Sequence, residues 1–216
     1  MNGILAAFSN SNNVVPSLEE SLQAMPFKYR EHDGITIAAL MAGRIQQRHF
    51  VKPVSPGQDF SSFEQSLTGC LSLACIREKR QESNVHLAAT FEMAVAYHGF
   101  IDNIPDIREQ LFQLGYEVDS LSPCELIMRF IHRYLDIEMS VREACLTAIR
   151  RLNGEFALIA LFAEQKSLVI AQKGMPMTLG MKENEVYIAS NTAACLVQPL
   201  MLLEENSLLI LRSFQK

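Results

Sequence analysis

The sequence lacks an unbroken apolar run long enough to cross a bilayer, although 49% of its 216 residues are hydrophobic. It also lacks a secretory signal, because no basic residues precede the first apolar residues and a polar stretch follows from Ser9 to Asn13. These absences predict a cytoplasmic globular protein that makes no contact with a membrane. Length alone does not decide between one large domain and two small ones.

An excess of positive charge is absent as well, since the formal net charge is -5. Non-specific binding to nucleic acid depends on a basic surface, so we expect no nucleic-acid partner. The five cysteines include no pair with CxxC spacing, which argues against a structural zinc site and against a disulfide framework. We therefore expect free thiols, no metal ion and no cofactor.

Helix signals are strongest in the middle of the chain. Ser122-Pro123-Cys124-Glu125 combines a capping serine, a proline at the first helical position and a glutamate three residues after the cap, and predicts a helix to about Tyr134. Ser140 and Glu143 repeat the capping pattern, and Ser17 with Glu20 gives a third example. Further helices are predicted at 105–114 and 59–67.

Short apolar segments bounded by turn residues predict strands. They are Gly3–Phe8, Ile35–Met41, Arg44–Val51, Gly69–Ile76, Glu92–Tyr97, Glu155–Phe162, Ser167–Ala171, Glu185–Ala189 and Leu208–Leu211. Strands that are separated by short turns favour antiparallel pairing. The predicted class is α+β, in which two sheets with helices on the outside would bury both apolar faces of the strands.

Five segments share their order and spacing with the motifs of one enzyme family. Tyr97–Asn103 corresponds to an HNGIIEN motif, and Leu121–Ile127 corresponds to an STDTEVI helix start. The segments Gly154–Leu158, Gly174–Gly180 and Glu183–Ser190 correspond to GAYAL, GSPLVIG and ENFIASD. On these segments the chain resembles the glutaminase domain of glucosamine-6-phosphate synthase, a class II glutamine amidotransferase.

The resemblance covers nearly the whole chain and is weakest from Asn10 to Arg80. It implies a four-layer αββα sandwich of two mainly antiparallel sheets, which is the fold of N-terminal-nucleophile hydrolases. We expect one glutaminase-type domain over residues 1–216, without the sugar-phosphate isomerase domain to which the family's glutaminase is normally fused.

The family's nucleophile is missing from its expected position. In the family, a cysteine exposed by removal of the initiator methionine attacks the glutamine amide, and its own α-amino group acts as the base. The start Met1-Asn2-Gly3-Ile4 mirrors the family's MCGI and places Asn2 at the cysteine. A carboxamide is not a nucleophile, and asparagine is bulky enough that we expect Met1 to be retained, which removes the base as well.

One of the two hydrogen-bond donors of the family's oxyanion hole is retained. It consists of the asparagine side chain and the glycine N–H of the HNG motif, which correspond here to His98 and Gly99. Such preorganised donors are worth roughly 3–4 kcal/mol each. Two interpretations of His98 remain open: its ring replaces the lost donor, or it only fills the pocket.

The residues that bind the two charged ends of glutamine in the family are also changed. An arginine that binds the carboxylate falls on Ala74 in an ungapped alignment, whereas a shift of about three residues would place Arg77 there. An aspartate that binds the ammonium group falls on Pro123. His86 corresponds to the first histidine of a family NAHPH run, as a substrate-pocket residue or as a structural loop histidine.

A recruited nucleophile is a further alternative, since Cys75 lies near the expected pocket and His98 ends a neighbouring strand. A Cys–His pair of this kind would resemble an activated thiol. The sequence contains no third group that would orient such a pair.

Three functions compete on these residues. The first is a pseudoenzyme that has lost glutaminase chemistry and binds a protein partner, a second copy of itself, or a small ligand in the former glutamine pocket. The second is a working amidotransferase with altered residues, which supplies ammonia in trans to a sugar-phosphate synthase. The third is a regulatory subunit of an amidotransferase complex.

Overall fold

The computed structural model describes residues 3–24, 32–50, 67–78, 85–190 and 200–213. Within these ranges the strands are β1 (Gly3–Ser9), β2 (His32–Met41), β3 (Arg44–Phe50), β4 (Leu71–Glu78), β5 (Val85–Ala89), β6 (Met93–Ile101), β7 (Gly154–Phe162), β8 (Ser167–Lys173), β9 (Thr178–Lys182), β10 (Glu185–Ala189), β11 (Leu200–Leu202) and β12 (Leu208–Arg212). The helices are α1 (Val15–Ala24), α2 (Ile104–Gln113), α3 (Pro123–Asp136) and α4 (Val141–Arg150).

The strands form two sheets. A seven-stranded sheet has the order β11-β9-β10-β1-β4-β2-β3, and a five-stranded sheet has the order β12-β8-β7-β6-β5. All of these neighbouring strands run antiparallel, and short turns join the pairs β2–β3, β5–β6, β7–β8 and β9–β10. The predicted α+β class and the predicted antiparallel pairing are confirmed.

Three layers of buried side chains separate four layers of secondary structure. Alternate residues of β1 show the pattern: Ile4, Ala6 and Phe8 pack between the two sheets, whereas Leu5 and Ala7 pack beneath α1. The outer face of the five-stranded sheet packs against α2, α3 and α4. The chain is therefore an αββα sandwich, which confirms the predicted fold.

The capping boxes of α3 and α4 form as predicted. The hydroxyl of Ser122 accepts the backbone N–H of Glu125, and the Glu125 carboxylate accepts the backbone N–H of Ser122. Ser140 and Glu143 exchange the same two bonds. Each box satisfies two amide groups that a helix start otherwise leaves unpaired.

The predicted cap of α1 is wrong, because the helix begins at Val15 and Ser17 lies inside it. The side-chain oxygen of Asn13 accepts the backbone N–H of Val15 at the helix start and also the backbone N–H of Gly69. The strands β5, β9 and β11 were not predicted. The predicted helix at 59–67 lies almost entirely outside the described residues.

None of the described helices is long and apolar enough to span a membrane.

Candidate functional site

The start of β1 is the reference point for the site. Gly3, the first described residue, lies opposite Ile76 of β4, and Ile4 lies opposite Cys75. Asn2, which the sequence places at the family's nucleophile position, lies outside the described residues. The residues that surround the first residues of β1 therefore define the candidate site.

The register of β1 and β4 separates the two candidates for the carboxylate-binding residue. Ala74 lies opposite Leu5, is fully buried and packs beneath α1. Arg77 follows Ile76, is exposed, and lies opposite Gly34 of β2. An arginine at Ala74 would bury its charge in an apolar layer, whereas Arg77 occupies the end of β4 at which β1 begins.

His98 connects the two sheets next to the start of β1. It follows Ala94 and Ala96 on the face of β6 that looks into the space between the sheets. Its Nδ1 lies 2.9 Å from the hydroxyl of Ser190, and that hydroxyl also accepts the backbone N–H of Ile4 at 3.0 Å. The backbone N–H of Ser190 in turn donates to the Ile4 carbonyl. Ile4, His98 and Ser190 are therefore joined by one hydrogen-bond network that links the two sheets.

Burial sets the charge state of His98. It lowers the pKa of the ring from 6.5 to about 4, because transfer out of water disfavours the imidazolium. The ring is half-buried. At pH 7 His98 is therefore neutral, and one of its two nitrogens carries a proton while the other accepts.

Gly99 is required by the path of the backbone. Its φ is +121°, and a Cβ atom at this position would lie 2.2 Å from the Glu155 carbonyl oxygen of β7. Gly154 has the reciprocal geometry, with φ +126° and a Cβ position 2.2 Å from the Phe100 carbonyl oxygen. At these two positions the paired backbones of β6 and β7 leave no room for a Cβ atom, and this packing explains both glycines without reference to catalysis.

His86 lies on the other face of the five-stranded sheet. It pairs with Tyr97, and the two rings stack with their centroids 5.0 Å apart. Tyr97 belongs to the core that faces the helices, where burial raises the pKa of its hydroxyl group. The structure therefore does not bring His86 onto the face that carries His98.

Pro123 begins α3 as the sequence predicts. The following residue, Cys124, is fully buried, and its Sγ lies 3.0 Å from the carbonyl oxygen of Val95 on β6. The proline keeps the helix start and its capping box, but it offers no charge to an ammonium group.

The Cys75–His98 pair receives no support from the geometry. Cys75 is buried between the sheets, and desolvation raises the pKa of its thiol to about 11 even though bonding to Thr36 opposes the shift. The ring nitrogen Nδ1 of His98 is engaged by Ser190. A thiol with this pKa is protonated at pH 7 and is a poor nucleophile.

Ser190 is the site residue that the sequence analysis did not single out. Its position at the end of the segment matching ENFIASD was the only signal, and that signal carried no chemical role. Among the described residues, no group of three histidine, cysteine or acidic side chains is arranged to hold a metal ion.

Solved structures share this architecture over 97% of the chain. A glutamine phosphoribosylpyrophosphate amidotransferase from B. subtilis, solved with ADP and GMP, is similar over 49% of its own length, with a TM-score of 0.69 and 16% identity. A class-II glutamine aminotransferase domain protein from Silicibacter pomeroyi is similar over 94% of its length, with a TM-score of 0.61 and 13% identity. The fold is that of the class II, N-terminal-nucleophile amidotransferases.

Sequence comparison adds the family. The family model described as glutamine amidotransferase domain matches residues 61–197, and the chain belongs to this family. Glutamine–fructose-6-phosphate aminotransferase of Pseudomonas putida is 30% identical over the whole chain and 36% of its own length. The enzyme of the same name from Neisseria meningitidis serogroup A is 31% identical over 90% of this chain and 32% of its own length. The chain thus spans about a third of these relatives.

Proposed function

We propose that this chain is a glutamine amidotransferase-like domain that does not hydrolyse glutamine and acts as a binding or regulatory module. The observation that carries the proposal is Asn2, which directly precedes β1 where the family resemblance requires the nucleophilic cysteine. A carboxamide cannot form the thioester through which the family reacts.

The surroundings of β1 support the same function. Cys75, the cysteine paired with Ile4, has a buried and protonated thiol, so it does not replace the missing nucleophile. The position matched to the ammonium-binding aspartate is Pro123, which carries no charge. The residue at the nucleophile position and the residue matched to the ammonium-binding aspartate are thus both changed.

A second candidate function rests on a different observation. Gly99 is retained, His98 is a neutral ring that can donate one hydrogen bond, and Arg77 lies at the end of β4 beside the start of β1. These three residues are the parts from which a working amidotransferase that supplies ammonia to a synthase in trans would be built. The two functions differ in whether glutamate is released.

The purified protein is expected to release no glutamate from glutamine, because Asn2 offers no thiolate or hydroxyl to the amide carbon. Glutamate formation would be followed with a coupled dehydrogenase at millimolar glutamine. The control is the glutaminase domain of an active relative at the same concentration. Release above a heat-treated sample that a glutamine-analogue alkylator abolishes would falsify the proposal and favour the second function.

The single change Asn2→Cys is expected to leave glutamate release at the level of the unchanged chain. The contact to the substrate ammonium is still absent, and a charge-assisted hydrogen bond of this kind is worth about 1.5–3 kcal/mol, or roughly 10- to 150-fold in affinity. Adding Pro123→Asp should then raise kcat/KM by about tenfold or more, measured by the same assay.

Two further variants make this test specific. Arg77→Ala in the Asn2→Cys, Pro123→Asp background reports whether Arg77 binds the carboxylate. Ala74→Arg is unsuitable, because the side chain would enter the apolar layer beneath α1. Turnover by Asn2→Cys alone at millimolar glutamine would show that the pocket for the ammonium group is intact without an aspartate at position 123.

A further inference from the structure

Three arginines on the helical side of the sandwich lie against aromatic side chains. The guanidinium carbon Cζ of Arg133 lies 4.9 Å from the centroid of the Tyr134 ring, and that of Arg129 lies 6.0 Å from the centroid of the Tyr116 ring. Arg151, which directly follows α4, donates from Nη1 to the Tyr134 hydroxyl at 3.0 Å. A guanidinium that rests on a ring still offers its N–H edge to a planar anion. We call Arg129, Arg133 and Arg151 the arginine face.

The positive charges of the arginine face are close together. The Cζ atoms of Arg133 and Arg151 lie 5.7 and 5.5 Å from the centroid of the same ring, that of Phe130. Arg129 and Arg133 are one helical turn apart on α3, a spacing at which like charges repel. Arg151 also donates to Oε1 of Gln110 at 2.7 Å, an oxygen that carries no charge. The arginine face thus concentrates positive charge in a chain whose net charge is -5.

The carboxylates nearest in sequence on α3 do not neutralise this charge. Glu125 precedes Arg129 by four residues, the spacing that favours an ion pair, but its carboxylate completes the capping box at the start of the helix. Asp136 follows Arg133 by three residues, and its Oδ1 lies 3.1 Å from Nδ1 of His132 instead. Within the described ranges, none of the three guanidinium groups forms an ion pair with a carboxylate.

We infer that the arginine face is a docking surface for an acidic segment of a partner protein, whose aspartate and glutamate carboxylates pair with the guanidinium groups. A carboxylate accepts two parallel N–H bonds from a guanidinium fork, and it supplies the negative charge that α3 withholds from these arginines. The inference deepens the proposed function of a binding module and rests on it, since it gives that module the chemistry of its partner.

An acidic segment fits the arginine face better than other anions do. The three guanidinium groups belong to two turns of α3 and to the residue after α4, so a single small anion reaches only part of the surface. Nucleic acid depends on an extended basic surface, which a chain with a net charge of -5 does not favour. The remaining negative charge repels long polyanions, and a short acidic segment that stays on the arginine face avoids most of this repulsion.

Binding is tested with the full chain and a short fluorescein-labelled poly-glutamate peptide, followed by fluorescence anisotropy at low ionic strength. We expect saturable binding that weakens as salt is added, because salt screens exposed ion pairs. Arg133→Gln and Arg151→Gln should each weaken binding about two- to fivefold, and the double change about tenfold. The matched control is Lys182→Gln, which removes one exposed positive charge from β9 of the seven-stranded sheet and should leave the affinity unchanged.

Two further comparisons keep the test decisive if the glutamine variants disturb the helices. The double change Arg133→Lys, Arg151→Lys keeps both charges and should bind the peptide more tightly than the double glutamine variant, with circular dichroism checking that each variant is folded. A serine–glycine peptide of the same length, inorganic phosphate and oligothymidylate should each bind the unchanged chain at least about fivefold more weakly than poly-glutamate.

Four results overturn the inference. They are no binding of poly-glutamate, equal losses in Lys182→Gln and in the arginine variants, a lysine variant that binds no better than the glutamine variant, and binding of phosphate or oligothymidylate as tight as that of poly-glutamate. Glutamate release from glutamine is measured in a separate assay, so failure of this inference and failure of the proposed function are distinguishable.

Discussion

Replacing Gly99 by alanine is expected to lower the free energy of unfolding by more than about 3 kcal/mol. A φ of +121° is strained for any residue with a Cβ, and such backbone strain costs about 1–3 kcal/mol by itself. The new Cβ would also lie 2.2 Å from the Glu155 carbonyl oxygen, which belongs to the backbone and cannot rotate away. Strand β6 or β7 must therefore move, and the core on both sides of the sheet would be disturbed.

The matched control for this variant is Gly115→Ala. Gly115 also has a positive φ, +84°, but no atom lies within 4 Å of its Cβ position. Its replacement should therefore cost only about 1–2 kcal/mol, the penalty for a left-handed conformation. Urea unfolding followed by circular dichroism measures the free energy of unfolding of both variants. Equal losses in the two variants would show that the close approach of the β6 and β7 backbones at Gly99 adds no cost.

Stability is expected to fall by about 2–3 kcal/mol between pH 6.5 and pH 4 because of His98 alone. Burial lowers the pKa of the ring from 6.5 to about 4 in the folded state. Below pH 6.5 the unfolded chain therefore binds a proton that the folded chain does not bind until the pH approaches 4. The unfolded state binds more protons in this window, so the free energy of unfolding decreases as the pH falls.

The contribution of His98 is isolated by comparison with His98→Gln, which keeps a polar side chain and cannot titrate. Urea unfolding of the two proteins at several values between pH 7.5 and pH 4 gives the difference in free energy at each pH. That difference should change in favour of the glutamine variant as the pH falls. A difference that is constant across the range would mean that His98 titrates at the same pH in both states.

The helix starts show which features of the fold a local sequence pattern can predict. The starts of α3 and α4 were predictable because the capping serine and the glutamate that completes each box are three residues apart. The start of α1 was not, because Asn13 bonds the N–H of Val15 without a capping box and is itself held by the N–H of Gly69, a residue far away in the sequence. The edge strand β11 was missed because three residues do not establish a period.

The residues of the candidate site also differ in whether the sequence alone could identify them. His98 and Gly99 were singled out as candidates because both lie in one short motif. The partner of His98 is 92 residues away, and no spacing or periodicity connects Ser190 to it before the two sheets are folded together. Likewise, an ungapped alignment places the family's arginine on Ala74 and a shift of about three residues places it on Arg77, and only the register of β4 against β1 shows that Ala74 lies in a core layer.

The close approach of the β6 and β7 backbones at Gly99 and Gly154 limits what a retained glycine says about activity. Selection for a foldable chain is enough to retain Gly99, because almost any replacement would be removed for its effect on stability before its effect on chemistry mattered. The glycine of the oxyanion motif is therefore expected at position 99 whether or not the chain hydrolyses glutamine. Its presence reports on the packing of β6 against β7 and not on catalysis.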